Sequence, residues 1–179
     1  MPKRAKPRSG RKRPPDRPSG PPTRRSLPTE EPDTWAPATV QVRIEKGSAT
    51  GQARRRHLED QVLRLVNAAR QRAGSPPLKA DERLRAAARQ HSERMSDLQF
   101  FDHMDPDGSD PGQRMLAAGH PAPGAENIAA GQAAAEPVMQ AWMNSPGHRV
   151  NILNPAFVSL GVGVDLRPGG PFWTQNFGY

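Results

Sequence analysis

The sequence predicts a mixed α/β domain, α+β or layered α/β/α with an antiparallel sheet, set behind a disordered basic tail. Three observations carry this. Two stretches of helical periodicity lie between Leu58 and Phe100, and two strand-like stretches close the chain between Ser159 and Phe177. Helices first and strands later favour a segregated or layered class. Charge and proline divide the chain as well: residues 1–56 carry 15 Lys and Arg against 5 Asp and Glu, residues 57–179 carry 11 against 13, and ten of the 21 prolines fall within 1–37. The boundary is therefore placed at 56, with a Pro/Arg-rich basic tail or linker over 1–56 and one folded domain over 57–179.

A segment with so little to bury cannot offset the entropy of ordering it. The tail is thus expected to be disordered, with Val40, Val42 and Ile44 as a short isolated strand pattern inside it. The net charge of +8 belongs to the tail. It suits loose attraction to anionic polymers or a membrane surface, not sequence-specific nucleic-acid recognition. Arg24-Arg25-Ser26-Leu27 is followed by Pro28-Thr29-Glu30-Glu31-Pro32 where a signal peptide needs an apolar run, so no export signal is visible. No apolar stretch reaches the roughly 18 residues of a membrane span, so the chain is expected not to be transmembrane. The absence of cysteine excludes disulfides, thiolate zinc sites and a cysteine nucleophile.

In the domain, Leu58, Val62, Leu65, Val66 and Ala69 recur at helical spacing up to a stop at Gly74 and Pro76-Pro77. Gly47 to Gly51 is read as a break before that helix. Leu78 is expected in the core, and Asp81 caps a second helix bearing Leu84, Ala87, Ala88, His91, Met95 and Leu98 on one stripe. A short helix follows over Asp110 to Ala118, with Pro111 at its first position and Gly119 as its stop. Ala125 to Ala129 reads as extended, and Pro137 to Met143 as a helix turning Val138, Ala141 and Trp142 inward. Asn144-Ser145-Pro146-Gly147 ends that helix. Leu160, Val162 and Val164 then alternate with Gly161 and Gly163, whose missing side chains point to close backbone approach. A turn over 167–171 leads into a last strand over 172–177, making a hairpin.

The stretch Gly124 to Pro155 holds Glu126, Asn127, Trp142 and His148 between turn-formers, more buried-polar candidates than a packing segment needs. His91 lies on an apolar stripe and is read as a core residue. His103 sits just past a helix end, where side chains can reach a cleft. His120, in a Gly-His-Pro-Ala-Pro-Gly loop, is expected to be exposed. Asp105-Pro106-Asp107-Gly108 lacks the later ligands of a calcium loop and is read as a tight turn.

Phe101-Asp102-His103, Ala125-Glu126-Asn127-Ile128-Ala129, Trp142 to Arg149, Asn151-Ile152-Leu153-Asn154-Pro155, Gly161-Val162-Gly163 and Trp173 to Gly178 resemble, in order, the signature segments of a bacterial CAP (SCP) domain. That is the superfamily of cysteine-rich secretory proteins, antigen 5 and plant pathogenesis-related proteins. The resemblance covers about residues 58–179. It implies a three-layer α/β/α sandwich around a central antiparallel sheet, export to the outside or the cell surface, and a cleft lined by His103, Glu126 and His148, with Asn127 and Ser145 beside them. Ser145 stands where many eukaryotic members carry a second glutamate.

Two imidazoles and a carboxylate with water suit a divalent metal, zinc above all, held by His103, Glu126 and His148. Equally, the three could form a buried polar brace without metal. No catalytic residue can be assigned: Ser145 and His148 are close in sequence, but no nucleophile elbow or His-Glu-x-x-His motif accompanies them. The expectation is a binding module for a lipid or cell-wall ligand. The alternative is a metal-dependent, protease-like hydrolase using the same cleft.

Overall fold

The computed structural model describes residues 49–179. The expected tail disorder over 1–48 and the Val40 to Glu45 pattern lie outside the described residues. The elements run α1 (Ala49–Arg72), β1 (Lys79–Ala80), α2 (Glu82–Leu98), α3 (Pro111–Ala117), β2 (Pro123–Ala130), α4 (Ala135–Asn144), α5 (Pro146–Leu153), β3 (Ser159–Asp165) and β4 (Phe172–Gly178).

The sheet order is β1-β3-β4-β2. Strands β3, β4 and β2 are antiparallel, and β1 adds two residues parallel to β3. Leu160, Val162 and Val164 join Val62, Val66, Val138, Trp142 and Ile152 in the main core, so α1, α4 and α5 cover one face. Gly161 and Gly163 face the other, where a Cβ on either would collide with the backbone of α2 at Leu84–Arg85 and Ala88–Arg89. The glycines thus let a helix axis lie almost on the sheet. Helix α3 extends that outer layer, with Met115 packed against Leu84 and Ala87. The result is the expected α/β/α sandwich.

Four local readings are corrected. Helix α1 starts at Ala49 and carries Gly51 inside it, because Arg55 and Arg56 reach across to Glu93 and Glu82 of α2 and anchor its early turns. Strand β1 was invisible because two residues have no period; Asn67 clamps its approach, accepting from Leu78 N–H at 2.8 Å and donating to its carbonyl at 2.9 Å. In α4 the inward residues are Ala135, Val138, Met139 and Trp142, while Ala141 is exposed. Finally, Pro146-Gly147 opens α5 instead of trailing α4: Ser145 closes one helix and starts the next, and Pro146 suits a first helical turn whose N–H has no partner anyway.

The helix ends follow local chemistry. Asp81 accepts from the N–H groups of Arg83 and Leu84 at the start of α2, and Asp110 with Gln113 forms a capping box on α3. Arg70 of α1, fully buried, donates to the carbonyls of Ile152, Asn154 and Phe157 at 2.8–3.1 Å. It gathers the unpaired carbonyls at the end of α5 and ties that helix to the core.

Candidate functional site

Strand β2 is the outer strand of the sheet, and successive residues point to opposite faces. Glu126 therefore turns to the α2/α3 layer and Asn127 to the α5 layer. The loop after α2 brings His103 over the first face, and the first turn of α5 brings His148 beside the second.

Both oxygens of the Glu126 carboxylate are engaged. His103 Nδ1–H donates to Oε1 at 2.9 Å, and Arg114 donates to Oε2 at 2.8 Å. Asn176, oriented so that both its ends are satisfied, donates to Oε2 at 3.1 Å and accepts from Ala88 N–H at 3.2 Å. His91 Nε2 lies 3.8 Å from Oε1. With its side chain 1% exposed, Glu126 is a buried carboxylate paired to a buried guanidinium.

His91 is a core histidine, as its stripe implies, and packs edge-on against Phe100. It also donates through Nε2 to the Asp102 carbonyl at 3.0 Å, which fixes the residue before His103. Its Nδ1 is left buried without a partner. The Asp105 to Gly108 run is a tight turn: Gly108 N–H bonds the Asp105 carbonyl, and Asp107 and Ser109 N–H groups bond the Asp105 and Asp107 carboxylates. Arg94 forks onto Asp105 and, together with that bonding, holds its carboxyl at about 2.

On the other face, Asn127 Nδ2 donates to the His148 carbonyl and to Gln175 Oε1, both at 3.1 Å, and its Oδ1 accepts from Asn151 at 2.9 Å. Asn127 positions α5, and through it His148. Ser145 makes no side-chain capping bond at the helix junction. His120 is buried, correcting the expectation of exposure: its Nδ1 accepts from Ala122 N–H, and Nε2–H points to Ser159 Oγ at 3.2 Å. It braces the turn before β2 against β3 and the end of β4.

The structure thus pairs His103 with Glu126 and sets His148 close enough to feel the His103 charge. Among the described residues, however, no three His, Cys, Asp or Glu side chains are arranged to hold a metal ion. Glu126 already accepts from three donors, His103 on Oε1 and Arg114 and Asn176 on Oε2. Arg114 was not anticipated, although an arginine beside Met115 on the inward face of a short helix is a signal for a buried partner carboxylate.

The pairing has a pH signature. The Glu126 hydrogen bond raises the pKa of His103, while burial first, and then the His103 charge, lowers that of His148. A raised histidine stabilises the fold fully below its unfolded value near ~6.5 and loses that contribution as pH rises through the folded value. The His103–Glu126 contribution should therefore fade above neutrality, and because the His103 side chain is 47% exposed its size is only a few tenths of a kcal/mol. NMR titration of the ring protons is expected to place the His103 midpoint above that of His148, with the gap narrowed in Glu126→Gln. Equal midpoints in the wild type would contradict the pairing.

An α/β/α sandwich whose edge strand carries a Glu-Asn pair, with His103 bonded to the Glu and the His148 carbonyl bonded to the Asn, defines a CAP-type domain. The chain belongs to the cysteine-rich secretory protein family, whose CAP model matches residues 63–177. It is 47% identical to the uncharacterized protein YkwD of Bacillus subtilis over 66% of this chain and 46% of that one. It is 35% identical to the uncharacterized membrane protein YlbC of the same organism, over 66% and 34%. The chain therefore matches less than half the length of either relative. A crystal structure of an extracellular protein containing a SCP domain from Bacillus anthracis aligns with a TM-score of 0.66 at 34% identity, over 75% of this chain and 44% of that one. An outer surface protein of Borrelia burgdorferi, at 20% identity and a TM-score of 0.60 over 65% and 88%, shares the fold. No described helix is long and apolar enough to cross a membrane.

Proposed function

We propose that this chain is an extracellular or cell-surface binding module that takes a lipid or cell-wall ligand at the cleft bearing His103 and His148. The observation that carries the reading is the commitment of Glu126. A carboxylate locked to Arg114 and His103 is a poor general base and a poor metal ligand, because either role would strip a buried guanidinium of its partner. Glu126 instead orients His103, fixing its Nδ1 proton and leaving Nε2 as the ring's free nitrogen. Among the described residues no three His, Cys, Asp or Glu side chains are grouped for a zinc site, and no hydrogen bond joins Ser145 to a base. Phe101 and Met104, 53% and 48% exposed on either side of His103, offer apolar surface to a ligand. A groove of about 540 Å3 along Pro146, Val150 and Leu153 of α5 offers more. The extracellular Bacillus anthracis relative supports the location.

The test uses the full chain with purified cell walls and with phospholipid vesicles, each with and without chelator. The expected result is retention on one of the two that is indifferent to chelator and weakened in His103→Ala, while calorimetry shows the same zinc uptake for wild type and His103→Ala. Chelator-sensitive hydrolysis of a peptide or ester substrate, lost in His103→Ala and restored by zinc, would overturn the reading in favour of a metallohydrolase.

A further inference from the structure

The 13 carboxylates of residues 57–179 leave one long gap: none falls between Pro137 and Val164. That run holds most of α4, all of α5 and β3 up to Val164. Its exposed side chains, all before β3, are apolar or amide-bearing apart from Arg149, the one Lys or Arg in the run. On α5, Pro146, Arg149, Val150 and Leu153 follow the i, i+3, i+4, i+7 spacing of a single helix face. Val150, 67% exposed, is the most exposed large apolar side chain among the described residues. With Asn154 and Pro155, these four line the groove of about 540 Å3.

The fold keeps this stripe from rolling inward. Arg70 holds the carbonyls at the end of α5, Asn127 binds the His148 carbonyl and Asn151, and Ile152 on the opposite side is fully buried. Apolar surface fixed in water this way marks an interaction site. The walls of the groove come from one helix and the turn after it, so a single acyl chain lying there keeps one side in water, whereas small-molecule sites bury most of their ligand. A bilayer covers that side with its own neighbouring chains. Charge makes the same choice. Among the described residues Arg149 enters no ion pair, and Glu136, the carboxylate just before the gap, accepts from Gln61 of α1. An anionic surface thus disfavours the carboxylate-bearing faces of the domain and favours the face with Arg149 and none.

We propose that the outward face of α5, with the exposed part of α4 beside it, is a docking surface for an anionic phospholipid bilayer. Val150 and Leu153 sit at the boundary of headgroups and acyl chains, Arg149 meets a lipid phosphate, and the exposed amides of Gln140 and Asn144 meet headgroup oxygens. This goes beyond the cleft reading, which holds with or without a bilayer. The contact is shallow, since interfacial elements sit only about 5–10 Å into that boundary. The basic excess of residues 1–56 adds attraction to the same surface, and such attraction needs no fixed geometry.

The chain has no cysteine, so Val150→Cys and Gln90→Cys can each carry one polarity-sensitive fluorophore, the first on α5 and the second on α2 across the sheet. With the full chain and equimolar phosphatidylglycerol and phosphatidylcholine vesicles, the probe at 150 is expected to shift to the blue and to be quenched by nitroxide lipids. The probe at 90 should stay in water. In the unlabelled chain, Val150→Asp should weaken vesicle binding about tenfold or more, and Arg149→Gln about fivefold, the worth of one basic residue at an anionic surface. Both positions are exposed, so urea midpoints should match the wild type. His103→Ala should leave the shift at saturating lipid unchanged. Absent or equal shifts at 150 and 90 would overturn the proposal, as would an equal shift with soluble fatty acid, or with concentrated protein and no vesicles. So would vesicle retention that salt abolishes and Val150→Asp leaves intact, which assigns retention to residues 1–56. Cell-wall retention weakened by His103→Ala alongside any of these would leave the cleft reading standing, so the two failures are distinguishable.

Discussion

Replacing Glu126 by Ala is expected to cost about 3–5 kcal/mol of folding stability, the range for removing one partner of a buried ion pair. The deletion strands the Arg114 guanidinium, which is 5% exposed in its side chain and already has a buried Nε without a partner. It also removes the acceptor that holds His103 and one that orients Asn176. Urea unfolding of the full chain measures the loss directly. Glu126→Gln, which keeps the shape and part of the hydrogen bonding, should cost less. Arg114→Met combined with Glu126→Leu should recover much of the deficit, because a volume-matched apolar pair leaves no charge unpaired. A loss below about 1 kcal/mol in Glu126→Ala would mean that the carboxylate is not the buried hub described here.

Gly163→Ala and Gly161→Ala are expected to be nearly as damaging, each at or above about 3 kcal/mol, the upper end of the usual overpacking range. The new methyl group would meet backbone atoms of α2 at under 3 Å, and backbone cannot rotate away as a side chain end can. The helix would have to lift from the sheet, taking with it His91, which fixes the His103 loop, and Arg94, which locks Asp105. Gly147→Ala is the matched control. A Cβ there meets nothing within 4 Å, and the residue lies in the first turn of α5, so its effect should be neutral or stabilising by about 0.5–1 kcal/mol. Equal denaturation midpoints for Gly163→Ala and Gly147→Ala would show that α2 does not rest on the sheet at these glycines.

The close contact at those glycines was legible in the sequence because it is a local pattern with a local cause. Gly161 and Gly163 interrupt an alternating strand at the positions that face one way, and only a backbone neighbour makes such a gap useful. The same holds for the Asp81 cap and for the stripe from Leu84 to Met95, where residues three and four apart must share a helix face. His91 belongs here as well: its place on the stripe implied burial, and it is buried.

Where local cues misled, a distant partner was responsible. Gly51 and Pro146 look like helix breakers by themselves, yet Gly51 lies in a helix whose early turns are tethered by Glu93 and Glu82, and Pro146 opens a helix whose end Arg70 gathers from across the core. His120 reads as a loop residue until β3 brings Ser159 against it.

Periodicity in the sequence by itself determined a mixed α/β class, because it depends only on neighbours along the chain, and the resemblance of its motifs to the CAP domain named the family and singled out His103, Glu126 and His148. Tertiary structure alone decided which groups surround those residues. Arg114 stands twelve residues from Glu126 and Asn176 fifty, and only folding sets them around one carboxylate. Buried in a medium that penalises an unpaired charge, that carboxylate accepts from the donors folding brings to it, His103, Arg114 and Asn176.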